Sequence, residues 1–273
     1  MKIIEKQVKN IITKTKLPAA DYVINPYIGC SHKCVYCYAD FMSRFSGVSD
    51  PWGSFIVVKD FFESEFNKCF KNKKILLSSV TDAYQPINQK FNKTRLILEK
   101  LKNTESDIEI LTKSKFLLND LDLLKQINNL KIGVSLSTLD EEFRKLIEPG
   151  ASSVPDRLKM LEVLHYEGIQ TYLFISPIFP EITDCNKLID NVNQFVDEIW
   201  FENLNLRGSS KVKVLNIIKS NYEKFVSTYK DIYLKKNQSY WINLENKLRG
   251  TYKNEFDNGR FKMFFYHSDI KKK

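Results

Sequence analysis

"KIGVSLSTLDEEFRKLIEPGASSVPDRLKMLEVLHYEGIQTYLFIS", residues 131–176, holds two apolar runs with a helical one between them. "KIGVSLS" (131–137) and "IQTYLFIS" (169–176) have the length and apolar content of buried strands. "PDRLKMLEVLHYEG", from Pro155, carries its apolar residues at helical spacing. It opens with a proline and an acid, where a first helical turn favours both, and closes on Gly168, where a C-cap glycine belongs. Outward from this unit the alternation continues. "KILLSSV" (74–80), "IEILT" (108–112) and "DEIWFENL" (197–204) read as further strands. "TRLILEKL" from Thr94, "FLLNDLDLLKQI" from Phe116 and "DCNKLIDNVNQFV" from Asp184 read as helices. Strand followed by helix, repeated, builds a parallel sheet. With a first strand leading into Cys30 there are about six units, short of the eight in a closed TIM barrel. The expectation is an α/β fold, a partial, open (β/α)6 barrel, over residues 1–208.

Residues 209–273 read as a basic helical extension packed on that core ("KVLNIIKSNYEKFVSTYKDIYLKK", 213–236), ending in a strand-like piece, "FKMFFYH" (261–267). No shift of composition divides the chain, so a single domain overall is expected. Apolar residues make up 43% and aromatics 13%, ample for a core, and no apolar run is long enough to span a membrane. "MKIIEKQVKN" has no apolar segment behind its charges, and five cysteines, odd in number and unevenly spaced, suit a reducing cytoplasm rather than a disulfide framework. Lys and Arg number 42 against 33 acids, a net charge of +9. That charge fits a polyanionic partner such as nucleic acid, and equally a solvated surface, because the lysines are scattered. "KKK" (271–273) reads as a frayed tail.

"GCSHKCVYCYAD", residues 29–40, places three of the five cysteines within eight positions. Cys30, Cys34 and Cys37 follow the first strand, at the end of a barrel where chemistry is carried. Soft thiolates at such spacing suit zinc or an iron–sulfur cluster. A closed zinc site and an electron-carrying cluster each want four protein ligands, and the nearest other candidates are His32 and the distant Cys69. A cluster held by three cysteines keeps one iron open.

The pattern Cys-x3-Cys-x2-Cys, with Tyr36 before the last cysteine and Tyr38 after it, is similar to that of the radical S-adenosylmethionine superfamily. "CSHKCVYCYAD" most resembles its spore photoproduct lyase branch. "SSVTDAYQPI" (78–87), "LTKSKFLLNDLDLL" (111–124), "VSLSTLD" (134–140), "IEPGASSVPDRL" (147–158) and "ISPIFPEITD" (175–184) resemble blocks of that branch in the same order. The resemblance covers about residues 20–205; "FENLNLRG" (201–208) resembles uncharacterised relatives.

The resemblance implies a lyase- or oxidoreductase-type enzyme whose [4Fe-4S] cluster binds S-adenosylmethionine at the open iron. Reductive cleavage would yield a 5'-deoxyadenosyl radical that abstracts hydrogen from a substrate the sequence does not identify. A small reductant protein, flavodoxin or ferredoxin, would supply the electron. Carried over by position, Cys30, Cys34 and Cys37 hold the cluster and Tyr36 packs near the adenine. Thr81 and Asp82 match the segment that reaches the methionine amino group, Lys113 a lysine that pairs with the carboxylate, and Ser135 and Ser137 hydroxyls near the ribose. Each residue also has a plainer reading: loop packing for Tyr36 and Tyr38, a turn cap for Thr81 and Asp82, a solvated ammonium for Lys113. Ser135 and Ser137 alternate along a strand and so share a face.

Departures from the branch narrow the analogy. Photoproduct lyases carry a hydrogen-donating cysteine beside the Thr of the second-strand block, and here Val80 stands in its place. Valine donates no hydrogen, so repair of spore DNA in its known form is not expected. Cys69 and Cys185 read as small buried hydrophobes, too few for auxiliary clusters, and no cobalamin-binding Asp-x-His-x2-Gly is present. His32 is expected at the surface. Asn203, Asn205 and Arg207, after the sixth strand, form a group able to grip a polar or anionic substrate, or else simply cap the barrel. A second class of function is a non-catalytic zinc or iron–sulfur protein that binds nucleic acid through its +9 charge.

Overall fold

Along the strand Asp107–Thr112, Ile108 and Ile110 are buried while Glu109 and Leu111 point the other way and are only partly covered. That period of two repeats from strand to strand and gives the sheet two faces, one under helices and one toward the hollow of a barrel. The computed structural model describes residues 1–17, 20–67 and 70–265. Cys69, His267 and the lysines at 271–273 lie outside the described residues. The strands are β1 (Lys2–Gln7), β2 (Ile12–Lys14), β3 (Tyr22–Ile24), β4 (Tyr27–Ile28), β5 (Phe55–Asp60), β6 (Lys74–Leu77), β7 (Asp107–Thr112), β8 (Leu130–Ser135), β9 (Gln170–Ile178), β10 (Glu198–Asn203) and β11 (Phe261–Met263).

Eight strands form one sheet in the order β11-β10-β9-β8-β7-β6-β3-β2. Every pair from β3 to β11 is parallel, and β2 adds an antiparallel edge beside β3. The expected strands are β3 and β6–β10, and the architecture is the partial barrel that the alternation implies. β11 extends it: the apolar piece near the chain's end lies parallel to β10, Ile199 opposite Phe261 and Trp200 opposite Lys262. The smaller sheet, β1-β5-β4, stands at the N-terminal side, with β4 antiparallel to β5 just before the cysteines.

Local chemistry places the helices. Ser153 caps Val154–Tyr166, its hydroxyl accepting from the Asp156 amide at 3.2 Å, with Pro155 in the first turn. Asp184 caps Cys185–Val192, whose Cys185, Leu188, Ile189 and Val192 face the core. Cys185 is the small buried hydrophobe expected, and burial pushes its thiol up to about 12. The segment 213–236 is not continuous: a turn at Tyr222 separates Gly208–Asn221 from Val226–Tyr233. Ser239–Thr251 and Lys253–Asp257 then lead to β11. Among the described residues no helix is long and apolar enough to cross a membrane.

Polar and aromatic side chains fill the lower part of the barrel's hollow. Glu198 accepts from Lys131 and from Lys262 at 2.7 Å each, and from the Trp200 indole at 2.6 Å. Tyr172 stacks on Trp200 with centroids 4.0 Å apart, and its hydroxyl donates to Glu109 at 2.7 Å. Gly133 makes room for this stack, since a Cβ there would overlap the Tyr172 ring. The ring is held at its face and at its hydroxyl, so it cannot withdraw. Gly133→Ala is therefore expected to destabilise the metal-free protein by about 1–3 kcal/mol in urea unfolding; an unchanged midpoint would show that the stack is loose.

Candidate cofactor site

The cysteine loop leaves β4 through Gly29, whose φ of +96° and close approach to the Phe55 carbonyl exclude a side chain. Two clamps hold it. Gln85, fully buried after β6, accepts from the Ser31 amide at 2.8 Å and donates to the Gly29 carbonyl at 3.2 Å and to the Thr81 hydroxyl at 3.0 Å. Thr81 itself donates to the Gly29 carbonyl at 2.6 Å. On the other side, residues 147–150 pack on the loop: the Val35 amide donates to the Ile147 carbonyl and the Gly150 amide to the His32 carbonyl, both at 2.9 Å. A Cβ on Gly150 would strike the Ser31 carbonyl and stand 2.9 Å from the His32 Cα.

Asp82 ties this loop to the ends of two strands. Its carboxylate accepts from the Tyr84 amide (2.9 Å), the Thr112 hydroxyl (2.7 Å) and the Lys113 amide (2.9 Å). Its Oδ2 also lies 3.4 Å from Nδ1 of His32. His32 is 1% exposed, which corrects the surface position expected from sequence: the Gly150 segment covers it. Burial lowers its pKa against the opposing pull of Asp82, so the ring is neutral, and Nε2 has no hydrogen-bond partner.

Tyr36, between the second and third cysteines, donates its hydroxyl to Glu148. Its ring meets Phe179 edge-on at 5.6 Å and lies 5.9 Å from the Lys113 ammonium. Glu148 pairs with Arg157 at 2.8 Å with neither side chain exposed. Burial would raise the Glu148 carboxyl, but Arg157 and then Lys113 outweigh it and hold the group below its ordinary value. Ser135 and Ser137 do share a face, and both hydroxyls donate to the Ser176 carbonyl at 2.9 Å. Val80 gives its amide to Asn25 at 3.1 Å.

On the rim, Asn205 accepts from Arg207 Nε at 3.2 Å, and Arg207 precedes the helix Gly208–Asn221 in an exposed position. Asn203 is buried at the end of β10, beside a bulge against β9. Ser209 donates to Asp40 at 2.9 Å, which brings this rim to the turn that follows the cysteines.

The three cysteines are unpaired and partly buried. Burial raises all three thiols, Cys34 to about 12; Asp82 and then Cys34 add to the rise at Cys30, and Glu148 adds to it at Cys34. Lys113 opposes the rise at Cys34 and Cys37. Among the described residues no three His, Cys, Asp or Glu side chains converge as ligands of a single ion would. An iron–sulfur cluster takes each thiolate on a different iron and asks for no such convergence. Three soft donors on one clamped loop beside a cation fit that group. A cavity of about 760 Å³ lies elsewhere, at the opposite ends of the strands, lined by Lys74, Asp107, Lys131, Trp200 and Lys262 among others. It lacks the thiols and is not the candidate site.

The sequence missed Gln85, Glu148 and Arg157. All three fall inside segments quoted for their resemblance; Gln85 and Glu148 bond far along the chain, Tyr36 and Glu148 being 112 residues apart, and Arg157 is tied in through Glu148.

The Radical SAM superfamily model matches residues 24–190, more than half of the chain, and the chain belongs to that superfamily. An uncharacterised protein of Methanocaldococcus jannaschii is 38% identical over 222 residues, covering 81% of this chain and 84% of the relative. The radical SAM Nalpha-GlyT isomerase of Pseudomonas phage M6 is 27% identical over 58% of this chain and 33% of its own. Spore photoproduct lyase in complex with a dinucleoside spore photoproduct shares the fold at TM-score 0.58 and 17% identity, over 81% of this chain and 66% of the lyase. SuiB of Streptococcus suis bound to S-adenosylmethionine aligns at TM-score 0.51 and 13% identity, over 89% of this chain and 49% of its own. The resemblance read from the cysteine loop is thus borne out at the level of superfamily and fold.

Raised pKa values keep the thiols protonated at neutral pH, so in metal-free protein at pH 8 iodoacetamide should alkylate Cys34 at least about tenfold more slowly than a free cysteine. Gly150→Ala should remove much of this protection by pushing the loop outward, and should lower the urea midpoint as well, because the added Cβ meets main-chain atoms. Equal rates in parent and variant would show that residues 147–150 do not hold the loop.

Proposed function

We propose that the protein is a single-cluster radical S-adenosylmethionine enzyme. The observation that carries this is the set of three thiols on one loop at the carboxyl ends of the barrel strands, clamped by Gln85 and residues 147–150, in a chain of the Radical SAM superfamily. Cys30, Cys34 and Cys37 would hold a [4Fe-4S] cluster with one iron open to S-adenosylmethionine. When bound, the two cofactors supply a 5'-deoxyadenosyl radical, the oxidant that takes a hydrogen atom from the substrate.

The chain's own residues bind and orient. Lys113, whose ammonium lies beside the Tyr36 ring, is the cation we assign to the carboxylate of S-adenosylmethionine, and Tyr36 the ring we assign to the adenine. Thr81 and Asp82 shape the loop that faces the amino group, though their side chains are engaged in holding the site together. Ser135 and Ser137 line the wall assigned to the ribose. We assign Asn205 and Arg207 on the rim, with Asn203 buried at the end of β10, to a polar or anionic substrate, nucleic acid being one such class. Val80 offers no thiol hydrogen, so the reaction differs from that of a photoproduct lyase. A small reductant protein, flavodoxin or ferredoxin, is the expected electron source.

After anaerobic reconstitution, dithionite and S-adenosylmethionine should yield 5'-deoxyadenosine with the parent protein and none with Cys34→Ala. Lys113→Met should raise the KM for S-adenosylmethionine by about tenfold or more, the loss of one charge-assisted contact of roughly 1.5–3 kcal/mol. A fully iron-loaded parent that forms no 5'-deoxyadenosine would sink the reading. Zinc in place of iron, with salt-steep binding of DNA or RNA, would favour the non-catalytic alternative.

A further inference from the structure

Glu148 and Arg157 form a pair with no exposure at either side chain, Nη1 standing 2.8 Å from Oε2. Two charges withdrawn from water are costly unless the surrounding hydrogen bonds are complete, and a pair of apolar residues of like volume often serves stability as well or better. Here they are not complete, because Nε and Nη2 of Arg157 have no hydrogen-bond partner. Stability alone does not account for such a pair, so its contacts must.

Those contacts converge on the cysteine loop. Glu148 accepts the hydroxyl of Tyr36, the residue between Cys34 and Cys37. The same segment gives the Ile147 carbonyl to the Val35 amide and the Gly150 amide to the His32 carbonyl. Arg157 spends Nη1 on the Ser135 carbonyl at 2.8 Å, at the end of β8. One buried pair therefore joins the helix Val154–Tyr166, the end of β8 and the centre of the cysteine loop. Tyr36 cannot turn away without leaving Glu148 short of a donor inside the protein.

We propose that Glu148 and Arg157 are positioning residues for the cysteine loop: the pair fixes Tyr36 and, as a balanced pair of charges, sets the electrostatic surroundings of the cluster. The inference rests on the reading of the loop as a cluster site. Its positional part concerns the metal-free chain, and its electrostatic part the loaded one.

Hydrogen exchange of the metal-free protein decides the first part. Tyr36→Phe and Glu148→Gln should speed exchange across residues 29–42 by about tenfold or more. Tyr172→Phe, which breaks a comparable tyrosine–carboxylate bond to Glu109 at the far end of the barrel, should leave that segment unchanged. Tyr36→Phe keeps the ion pair intact and carries the test if Glu148→Gln fails to fold. Unchanged exchange in Tyr36→Phe, or equal acceleration in Tyr172→Phe, overturns the proposal.

Redox titration of the reconstituted protein, followed by electron paramagnetic resonance, decides the second part. Glu148→Gln leaves Arg157 unbalanced and should raise the cluster midpoint potential, whereas Glu148→Gln with Arg157→Met should bring it back toward the parent value. A purely structural role gives no such reversal, and a potential that stays put or moves downward in Glu148→Gln overturns this part. If the parent protein takes up no iron, the functional reading fails, and the exchange result still stands for or against the positioning role.

Discussion

The candidate site depends on one buried carboxylate. Asp82, 6% exposed, accepts hydrogen bonds from the turn that follows β6 and from both the side chain and the main chain at the end of β7, and it faces His32 in the cysteine loop. A carboxylate so placed turns three separate strand ends into one surface. Parallel pairing makes this possible, because within the larger sheet it puts the carboxyl ends of β3 and of β6–β11 on one rim. Lys113 is aimed by the same group: its amide donates to Asp82, which leaves the ammonium beside the Tyr36 ring. The arrangement is held by main-chain and buried side-chain bonds, so it does not wait for a ligand to organise it.

The site holds one opposed pair of charges and one carboxylate met by neutral donors. Asp82 faces a neutral His32, and Glu148 faces Arg157, with Lys113 close to both sets. Three deprotonated thiols would add negative charge to a buried region, and their raised pKa values express that cost. A cluster bound at these thiols would remove the cost by replacing protons with cations, which would couple its loading to proton release. Lys113 lowers the cost further at Cys34 and Cys37, so the lysine assigned to a cofactor carboxylate also helps the ligands to ionise.

The partial barrel was legible because its strands are short apolar runs and its helices carry caps that announce themselves, as Ser153, Pro155 and Asp184 do. The strand-like piece at 261–267 was visible too, but nothing local says that its first residues, 261–263, pair with β10. Cys30, Cys34 and Cys37 could be read from spacing, and the shared face of Ser135 and Ser137 from alternation at the end of β8 and just past it. What could not be read depends on distant partners. Thr81 lies in a recognisable block, yet its bond to the Gly29 carbonyl spans 52 residues. His32 has the residue type of a surface position and is buried because a segment more than a hundred residues away lies over it. Glu148 looks like an ordinary loop charge and Arg157 like one within a helix; the folded chain pairs them and sets Glu148 against Tyr36.

The two ends of the barrel use the same chemistry for opposite purposes. At the lower end, Glu198 is saturated by Lys131, Lys262 and Trp200, and the Tyr172 stack fills the space above it. Every polar group in that network has its partner within the network, so it acts as a plug. The cavity beneath it opens at the ends of the strands remote from the cysteines. At the upper end the network is incomplete: His32 Nε2 and two nitrogens of Arg157 are buried without partners, and Lys113 faces a ring rather than a carboxylate. Buried polar atoms left in that state cost free energy that the lower network shows the fold can avoid. β11 serves the division directly, since it sends Lys262 down to the plug from the same sheet edge whose neighbouring strand, β10, leads up to Asn205 and Arg207 at the rim.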